Sequence, residues 1–371
     1  MAGPIGIGVI GAGGISHSHL ISYTKSRANR ELCRVVAIAD IDEGRAREQA
    51  QTYDIPHVFT DYRDLIAHPE VQAVSVCTPP FLHVEQSCAA LRAGKHVLCE
   101  KPVSPTLAGL DAIAQAEREG GATFEGVFQH RVGQGAQQVK ALIDRGAFGR
   151  LVFGLSETLW QRPQEYYDVW WRGTWEQECG GVTMGHGIHS IDMLLWLMGE
   201  PESLIADAAT VKLDIGVEDT ALASVRFRSG ALGQIIVTVN AQDNRSRLEI
   251  FGTKLQAVSS ESPYDPTREA FALTSLDETH AEDARAWAQA QYPETPRHLH
   301  GPMVHDFLRA ILDSRPPLVG VAECRRSMEA ITGLYKSAMT GERVRFPIAS
   351  DDPFYSCIPA EGHALTPVTR S

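Results

Sequence analysis

A glycine-rich turn near the N-terminus constrains the fold of this chain more than any other feature. An apolar run over residues 5–10 leads into Gly11-Ala12-Gly13-Gly14-Ile15-Ser16, and a helical pattern begins there. Glycines in such a turn allow a phosphate to approach the backbone, and the helix N-terminus supplies unpaired N–H groups. The order of strand, glycine turn and helix therefore predicts a dinucleotide-binding unit. The residues predicted to cradle the pyrophosphate are Gly11, Gly13, Gly14 and Ile15.

An aspartate closes the second apolar run. Asp40 lies 24 residues after Ser16, close to the spacing at which a carboxylate binds the ribose hydroxyls in such units. A carboxylate there repels a 2′-phosphate, which favours NAD over NADP. NADP stays an alternative because Arg45 is near enough to pair with a phosphate. Capping of the following helix is the other role open to Asp40.

Apolar runs and helical patterns alternate throughout the first third of the chain. The further runs lie at 34–39, 57–60, 71–77, 96–99 and 123–128. This alternation predicts parallel strands with crossover helices, and near-continuous Val, Ile and Ala runs are typical of strands buried on both faces. We therefore predict an α/β chain whose N-terminal Rossmann domain, residues 1–128, is a doubly wound parallel sheet. Ligands of such sheets bind at the carboxyl ends of the strands.

The pattern changes after residue 128. A helix predicted over 135–145 is followed by alternating runs at 151–158, 203–212, 221–227, 232–239 and 248–251. Such runs indicate an α+β domain over 129–349 with a large, mainly antiparallel open sheet. Residues 258–300 are polar and weakly periodic, and we expect a long irregular excursion there. Residues 350–371 are expected to form a C-terminal tail.

Composition excludes several classes of partner. The formal net charge is −12, which disfavours nucleic acid and anionic membrane surfaces. No apolar run approaches the roughly 20 residues needed to span a bilayer. The seven cysteines are scattered without the spacing of metal ligands, so we expect reduced thiols, no metal site and a cytoplasmic location.

Two segments that follow predicted strands carry a family resemblance. They are Thr78-Pro79-Pro80-Phe81-Leu82-His83 and Gly94-Lys95-His96-Val97-Leu98-Cys99-Glu100-Lys101-Pro102. Together with Trp171-Arg172, the stretch 180–192, Val217-Glu218-Asp219-Thr220 and the segment 343–347, they resemble the Gfo/Idh/MocA oxidoreductases over nearly the whole chain. The resemblance implies a nicotinamide cofactor, a sugar, inositol or related polyol as substrate, and a homodimer or homotetramer paired through the open sheet.

The lysine of the Glu-Lys-Pro element is the first predicted catalytic residue. Lys101 follows a central strand, where nicotinamide chemistry is expected. A partly desolvated ammonium there stabilises the alkoxide character of a hydroxyl as hydride leaves its carbon. Glu100 is expected to pair with Lys101 or with a cofactor hydroxyl. The other residues predicted to border the cofactor are Thr78, Pro79 and His83.

The second predicted catalytic residue is a histidine. In the family, a helix after the glycines presents a histidine to the substrate, and the matching residue here is His189. Imidazole titrates near neutral pH, so it can take the hydroxyl proton. Asp192, three residues on, either orients His189 or satisfies a buried donor. Many family members carry Asp or Asn four residues before the histidine, whereas this chain has Gly185; the possible substitutes are His186, Asp192 or a residue from another segment.

A loop over residues 160–172 is rich in aromatic and charged side chains. Rings that stack, combined with hydrogen-bonding groups, suit a sugar or cyclitol, and Arg172 is an alternative site for a carboxylate or phosphate. Packing or an oligomer contact is the equally weighted structural alternative for this loop. The residues predicted to bind substrate are Trp171, Arg172, His186 and Asp192.

The sequence therefore predicts an NAD(P)-dependent oxidoreductase that transfers hydride between the cofactor and a carbinol carbon. Redox-neutral, NAD-dependent glycoside cleavage is one alternative, since Gly185-His186-Gly187 is similar to the family's hydrolase branch. A non-catalytic dinucleotide-binding sensor is another, suggested by the missing carboxylate at residue 185.

Overall fold

The computed structural model describes residues 3–365, which divide into two compact units. The first unit contains the described residues up to Phe128 together with His300–Arg325, and the second contains Gln129–Leu299 and the described residues from Arg326 onward. The sequence predicts one continuous domain over 129–349, whereas His300–Arg325 belong to the first unit in the structure. Within the first unit, the Asn29 side chain donates to the Gly301 carbonyl at 3.0 Å, and the Gly126 amide donates to the Val319 carbonyl at 2.9 Å.

Six parallel strands form the sheet of the first unit, in the order β3-β2-β1-β4-β5-β6. Its elements up to residue 128 are β1 (Ile5–Ile10), α1 (Gly14–Thr24), α2 (Arg27–Arg30), β2 (Cys33–Ala39), α3 (Glu43–Tyr53), β3 (His57–Phe59), α4 (Tyr62–Ala67), β4 (Ala73–Val76), α5 (His83–Arg92), β5 (His96–Cys99), α6 (Leu107–Gly120) and β6 (Phe124–Gly126). All residues of β1 and β4 are buried, as their unbroken apolar runs predict. The strand order reverses between β1 and β4, which confirms the predicted Rossmann sheet.

Eight strands form the sheet of the second unit, in the order β13-β12-β11-β7-β10-β9-β8-β14. The remaining elements are α7 (Gln134–Asp144), β7 (Leu151–Gln161), α8 (Ile188–Met198), β8 (Pro201–Ala209), β9 (Thr220–Phe227), β10 (Leu232–Thr238), β11 (Asn240–Gly252), β12 (Gln256–Val258), β13 (Ala272–Thr274), α9 (Glu278–Gln291), α10 (His300–Asp313), α11 (Val321–Thr340), β14 (Val344–Arg345) and α12 (Pro353–Ser356). β10 runs parallel to β7, and the other pairs are antiparallel. The predicted mainly antiparallel sheet is thus confirmed. Of these elements, α10 belongs to the first unit.

The expected irregular excursion over 258–300 is wrong in part, because it contains β13 and α9. Asp277 caps α9 by accepting from the His280 amide, and the buried face of the helix consists of Ala281, Ala284 and Ala288. Alanines bury little apolar surface, so this helix leaves only a weak hydrophobic period in the sequence. The expected C-terminal tail contains α12, and its last six residues, 366–371, lie outside the described part of the chain.

Helix α8 packs directly on one face of the second sheet. A Cβ on Gly154 of β7 would lie 2.7 Å from Leu194 Cδ1, and one on Gly187 would lie 2.5 Å from Val237 Cγ1. Because both positions lack a Cβ, α8 can lie close against the strands, and ten of its eleven residues are buried.

Within residues 3–365, no helix is both long enough and apolar enough to cross a membrane.

Candidate functional site

The glycine turn is tight at its start and open at its end. Gly11 has a φ of 95°, a left-handed conformation that favours glycine, and a Cβ there would lie 2.8 Å from the Cys77 carbonyl oxygen. At Gly13 and Gly14, by contrast, a Cβ would meet no described atom within 4 Å. Gly13 caps α1 and Gly14 is its first residue, and the first amides of the helix lack intrahelical acceptors. The turn therefore fits a dinucleotide pyrophosphate at a helix N-terminus.

Asp40 ties the end of β2 to this turn. Its Oδ2 accepts from the Ala12 amide at 2.7 Å and its Oδ1 accepts from the Asp42 amide at 2.9 Å. The residue that caps α3 is Asp42, not Asp40, because the Asp42 side chain accepts from the Arg45 amide. Each carboxylate oxygen of Asp40 has a second lone pair, so it can still accept from a ribose hydroxyl. Arg45 Nη1 lies 4.0 Å from Asp40 Oδ2.

Replacing Asp40 should weaken the discrimination between cofactors. We expect Asp40→Ala to lower the preference for NAD over NADP at least tenfold, because the change removes both the ribose acceptor and the repulsion of a 2′-phosphate. A tenfold change corresponds to about 1.4 kcal/mol in the difference between the two binding free energies. Titration of both reduced cofactors by fluorescence measures this. Asp42→Ala is the matched control, because it also releases Arg45 but keeps Asp40. An unchanged preference in Asp40→Ala would contradict the assignment.

His83 joins two loops, and its predicted contact with the cofactor stays a prediction. Its Nδ1 lies 2.7 Å from the Pro102 carbonyl and its Nε2 2.7 Å from the Thr78 carbonyl. The ring is buried, and burial lowers the pKa of His83 although both backbone contacts oppose this shift. His83 thus fixes the loop after β4 to the loop after β5.

Glu100 is held by a histidine that sequence reasoning missed. Glu100 Oε1 lies 2.9 Å from His19 Nε2, and Oε2 accepts from the Lys101 amide at 3.2 Å. Burial tends to raise the pKa of Glu100, but its contacts with His19 and His300 outweigh burial and hold the pKa well below the usual range. Glu100 is therefore an ionised anchor for the Lys101 backbone, and its predicted contact with a cofactor hydroxyl stays a prediction. A helical projection of α1 could have placed His19 on the buried face with Ser16.

The structure brings most of the predicted cofactor residues to one edge of the first sheet. The glycine turn follows β1, Asp40 follows β2, Thr78-Pro79 follows β4 and Lys101 follows β5. Since these strands are parallel, the four segments lie at their carboxyl ends. Lys101 is half-buried there.

In the second unit, His189 lies in the first turn of α8. It is 8 % exposed and stacks on His130, with ring centroids 4.7 Å apart and planes inclined by 30°. His130 Nε2 lies 2.9 Å from the Tyr264 carbonyl, which fixes the stacking partner. A π-helical turn over Thr183–Gly187 leads into α8, a distortion that is frequent at functional sites.

A carboxylate from another segment lies beside Gly185. A Cβ on Gly185 would be 3.6 Å from Glu178 Oε1. Glu178 is buried, accepting from the Gly173 amide at 2.6 Å and from Arg172 Nη1 at 3.1 Å. Glu178 therefore places a carboxylate near the position that the Asp or Asn of many family members would occupy, and the sequence pattern did not indicate this residue.

Asp192 is used to hold the second unit together. Its two oxygens accept from Arg131 Nε at 2.8 Å and Nη2 at 2.7 Å, and Oδ1 also accepts from Ser327 Oγ at 2.6 Å. The Arg131 and Asp192 side chains are each 1 % exposed. Asp192 therefore satisfies a buried donor, which is one of its predicted roles, and its assignment to substrate binding stays a prediction.

Glu218 anchors the glycine segment that leads into α8. Its carboxylate accepts from the Gly181 amide at 3.0 Å, the Thr183 amide at 2.9 Å and the Tyr335 hydroxyl at 2.8 Å. Burial raises the pKa of Glu218 to about 7, although the contacts with Thr183 and Tyr335 oppose it. The folded protein therefore binds a proton here that the unfolded chain has already released.

Stability should fall as pH rises through the window between the ordinary glutamate pKa and about 7. In that window the folded state binds more protons, so raising the pH favours unfolding, by about 3 kcal/mol in total at 1.36 kcal/mol per unit of pKa. We expect Glu218→Gln to remove this slope from a profile of melting temperature against pH. The exposed Glu165→Gln is the control and should keep it. Identical profiles for Glu218→Gln and the parent protein would refute the assignment.

An aromatic cluster lies at the end of β7 and consists of Trp160, which belongs to that strand, together with Tyr166, His186 and Tyr264. His186 contacts Trp160 edge-on at 5.1 Å and Tyr166 at 5.7 Å between ring centroids, and Trp160 lies 4.9 Å from Tyr264. The cluster therefore joins the predicted substrate loop to the histidine three residues before His189.

Arg172 and Trp171 flank this cluster. The Arg172 guanidinium lies 4.1 Å from the Tyr166 ring centroid and 4.2 Å from that of Trp171. Because Arg172 is also paired with buried Glu178, its charge is already compensated within the second unit. Stacked rings with adjacent polar groups are suited to the apolar faces and hydroxyls of a sugar.

Known proteins match both units. Residues 5–126 match the family described as oxidoreductase family, NAD-binding Rossmann fold, and residues 136–258 match the GFO/IDH/MocA C-terminal domain. Myo-inositol 2-dehydrogenase of Thermotoga maritima is 31% identical over 256 residues, covering 67% of this chain and 73% of that protein. Levoglucosan dehydrogenase of Pseudarthrobacter phenanthrenivorans is 28% identical over 305 residues, covering 74% and 78%.

Solved structures share the fold. The WlbA dehydrogenase from Bordetella pertussis, in complex with NADH and UDP-GlcNAcA, has a TM-score of 0.82 at 28% identity, covering 93% of this chain and 99% of that chain. A levoglucosan dehydrogenase complex with NADH has a TM-score of 0.80 at 23% identity, covering 93% and 100%, which is a likeness of fold alone.

Proposed function

The chain belongs to the Gfo/Idh/MocA oxidoreductase family, and from this premise we propose which of its residues carry the reaction. It is an NAD-dependent oxidoreductase that transfers hydride between the cofactor and a carbinol carbon of a sugar, inositol or related polyol. Within that reaction we assign the substrate hydroxyl oxygen to Lys101 and its proton to His189.

The proposed cofactor site rests on the residues at the carboxyl edge of the first sheet. The amides at the start of α1 hold the diphosphate, Gly13 and Gly14 leave the space for it, and Asp40 accepts from the ribose. When bound, NAD+ supplies the acceptor for the hydride. Ile15, which is also predicted to cradle the pyrophosphate, belongs to this proposed site because it lies at the exposed start of α1.

The observation that carries the proposal is the position of Lys101 at the same edge as the glycine turn. The ammonium group donates a hydrogen bond to the substrate oxygen and stabilises its negative charge as the C–H bond breaks. Glu100 holds the backbone at this point through the Lys101 amide, so the loop is fixed before substrate arrives.

The proton of the hydroxyl goes to His189 in this proposal. Loss of a proton from oxygen and of a hydride from carbon turns the carbinol into a carbonyl, and the hydride carries both electrons away. His189 returns the proton in the reverse reaction. Stacking on His130 and the burial of α8 keep the imidazole in one orientation.

The proposed substrate contacts lie in the aromatic cluster and beside it. Trp171, His186 and Arg172 provide a stacking surface and hydrogen-bond donors, and Glu178 provides the acceptor that its place beside Gly185 suggests. In such sites, aromatic rings usually pack on the C–H face of a sugar, and polar groups bind its hydroxyls.

A panel of free sugars, inositols and polyols with NAD+ tests the proposed function. We expect net NADH absorbance with at least one of them and loss of that signal in Lys101 and His189 variants. Release of an aryl leaving group from glycosides without net NADH would favour redox-neutral cleavage instead. Binding of NADH without turnover of any compound would favour the sensor.

We also propose a homodimer or homotetramer formed through the open face of the second sheet, and a cytoplasmic location. The face opposite α8 exposes large apolar side chains on neighbouring strands: Ile205 on β8, Leu222 on β9 and Leu232 on β10 are each more than 40 % exposed. An exposed apolar sheet face of this kind is typical of an association surface. Light scattering should give two or four times the monomer mass, and a monomer at micromolar concentration would contradict the oligomer.

A further inference from the structure

We propose that Arg162 binds a carboxylate on the substrate, so that the preferred substrates are acidic sugars of the uronate type. This rests on the proposed function, since it names the substrate class of the same site. Arg162 follows β7 directly and is half-buried against the aromatic cluster.

The Arg162 guanidinium is surrounded by rings. Its Cζ lies 4.8 Å from the Trp160 ring centroid, 5.3 Å from that of Tyr166 and 6.0 Å from that of Tyr264. Each ring presents its electron-rich face within the distance of a cation–π contact. The rings shield the cation from part of the solvent, which strengthens its attraction for an anion.

The hydrogen bonds of Arg162 go to neutral oxygens. Nη1 donates to the Gln161 carbonyl at 2.8 Å and to Asn244 Oδ1 at 3.4 Å, and Nη2 donates to the Tyr264 hydroxyl at 3.4 Å. Among the residues from 3 to 365, none supplies a carboxylate that forms an ion pair with this guanidinium, although the chain carries 46 acidic residues. Its positive charge is therefore left for a ligand.

The neighbouring arginine shows the contrast. Arg172 stacks on the same Tyr166 ring, but it is paired with Glu178 at 3.1 Å. The sequence left Arg172 open as a site for a carboxylate or phosphate, and we assign that role to Arg162 because Arg172 is already paired. Tyr166 and His186 lie in contact, so Arg162 is two side chains away from the helix that carries His189.

The expected ligand group is a carboxylate. A guanidinium presents parallel N–H groups that match the two oxygens of a carboxylate, and a single arginine balances its single charge. A phosphate would carry nearly two charges to a site with one uncompensated cation. The net charge of −12 adds a general repulsion, so a local cation is needed to admit an acidic sugar.

The test compares D-glucose, D-glucuronate and D-glucose 6-phosphate with NAD+. We expect the parent enzyme to have the highest kcat/KM for glucuronate. Arg162→Gln should lower that value roughly thirtyfold, the loss expected for one charge-assisted pair, and lower the value for glucose much less. Arg162→Lys, which keeps the charge without the fork, should recover part of it. Arg150→Gln is the matched control, since Arg150 is exposed at the other end of β7.

Several results would overturn the proposal while leaving the oxidoreductase function standing. They are a parent enzyme that prefers glucose, a parent enzyme that prefers glucose 6-phosphate, and an equal loss on all three sugars in Arg162→Gln. If no sugar is turned over, the proposed function fails instead. In that case thermal stabilisation by glucuronate in the presence of NADH still decides the carboxylate site: its absence in the parent protein, or its persistence in Arg162→Gln, rejects it.

Discussion

Lys101→Met should abolish most of the turnover while leaving NAD binding intact. Removing one donor that stabilises developing negative charge costs about two to three orders of magnitude in kcat, and the loss here should reach about a thousandfold because the donor is charged. Methionine keeps the length of the apolar stem, and the amide that donates to Glu100 stays in place. Steady-state kinetics with the best substrate, combined with NADH titration, measure the two effects separately.

Lys95→Met is the matched control for this change. Lys95 precedes the same strand, β5, and its ammonium donates to the Val71 carbonyl at 2.6 Å. It therefore lies at the amino end of the sheet, away from the edge where the cofactor residues meet. We expect its kcat to equal that of the parent enzyme. A Lys101→Met enzyme that retained a tenth or more of the parent kcat would remove Lys101 from the mechanism.

Breaking the Arg131–Asp192 pair should be the most destabilising single change in the second unit. Arg131 donates to both oxygens of Asp192 with both side chains nearly inaccessible to solvent. Removing one partner of a buried pair leaves the other charge in a medium of low polarity, which costs about 3–5 kcal/mol. Arg131→Met and Asp192→Asn should therefore each lower the free energy of unfolding by about that amount, measured by urea titration.

The double variant Arg131→Met with Asp192→Leu distinguishes the attraction within the ion pair from the free-energy cost of burying its two charges. An apolar pair of similar volume removes both buried charges, so we expect it to be more stable than either single variant. Arg309→Met, in the exposed pair with Asp313 on α10, should change stability by less than about 1 kcal/mol. Single variants at Arg131 and Asp192 that cost no more than Arg309→Met would show that the buried pair is dispensable.

The sequence was most informative where one short motif determines both the local fold and the ligand that binds there. The strand, glycine turn and helix at residues 5–24 predicted the Rossmann sheet, and the Glu-Lys-Pro element predicted the family that the matches confirm. Helix α9 escaped prediction because its buried face consists of alanines. The return of His300–Arg325 to the first unit escaped as well, since no local pattern records which sheet a distant helix packs against.

Within the candidate site, the sequence indicated which residues follow the strands but not which protein groups they bond to. His83, Glu100 and Asp192 are predicted to contact ligands, and the structure adds protein partners that the sequence did not indicate. Such partners come from far along the chain, as with His19 and Glu100, which are 81 residues apart. Glu178 shows the same limit, because its approach to Gly185 depends on the path of a loop with no regular spacing.

The late segment His300–Arg325 also sets the order in which the chain can fold during synthesis. The side chain of Asn29 can form its hydrogen bonds with Gly301 and His305 only after those residues have been synthesised. The same holds for the amide of Gly126, at the end of β6, and the Val319 carbonyl. A ribosome delivers these partners only after the strands β7 to β13 have emerged. The nucleotide-binding unit is therefore completed late, although most of it precedes these strands in the sequence. A fragment ending at residue 128 would leave the ribosome with the surfaces that pack on His300–Arg325 uncovered.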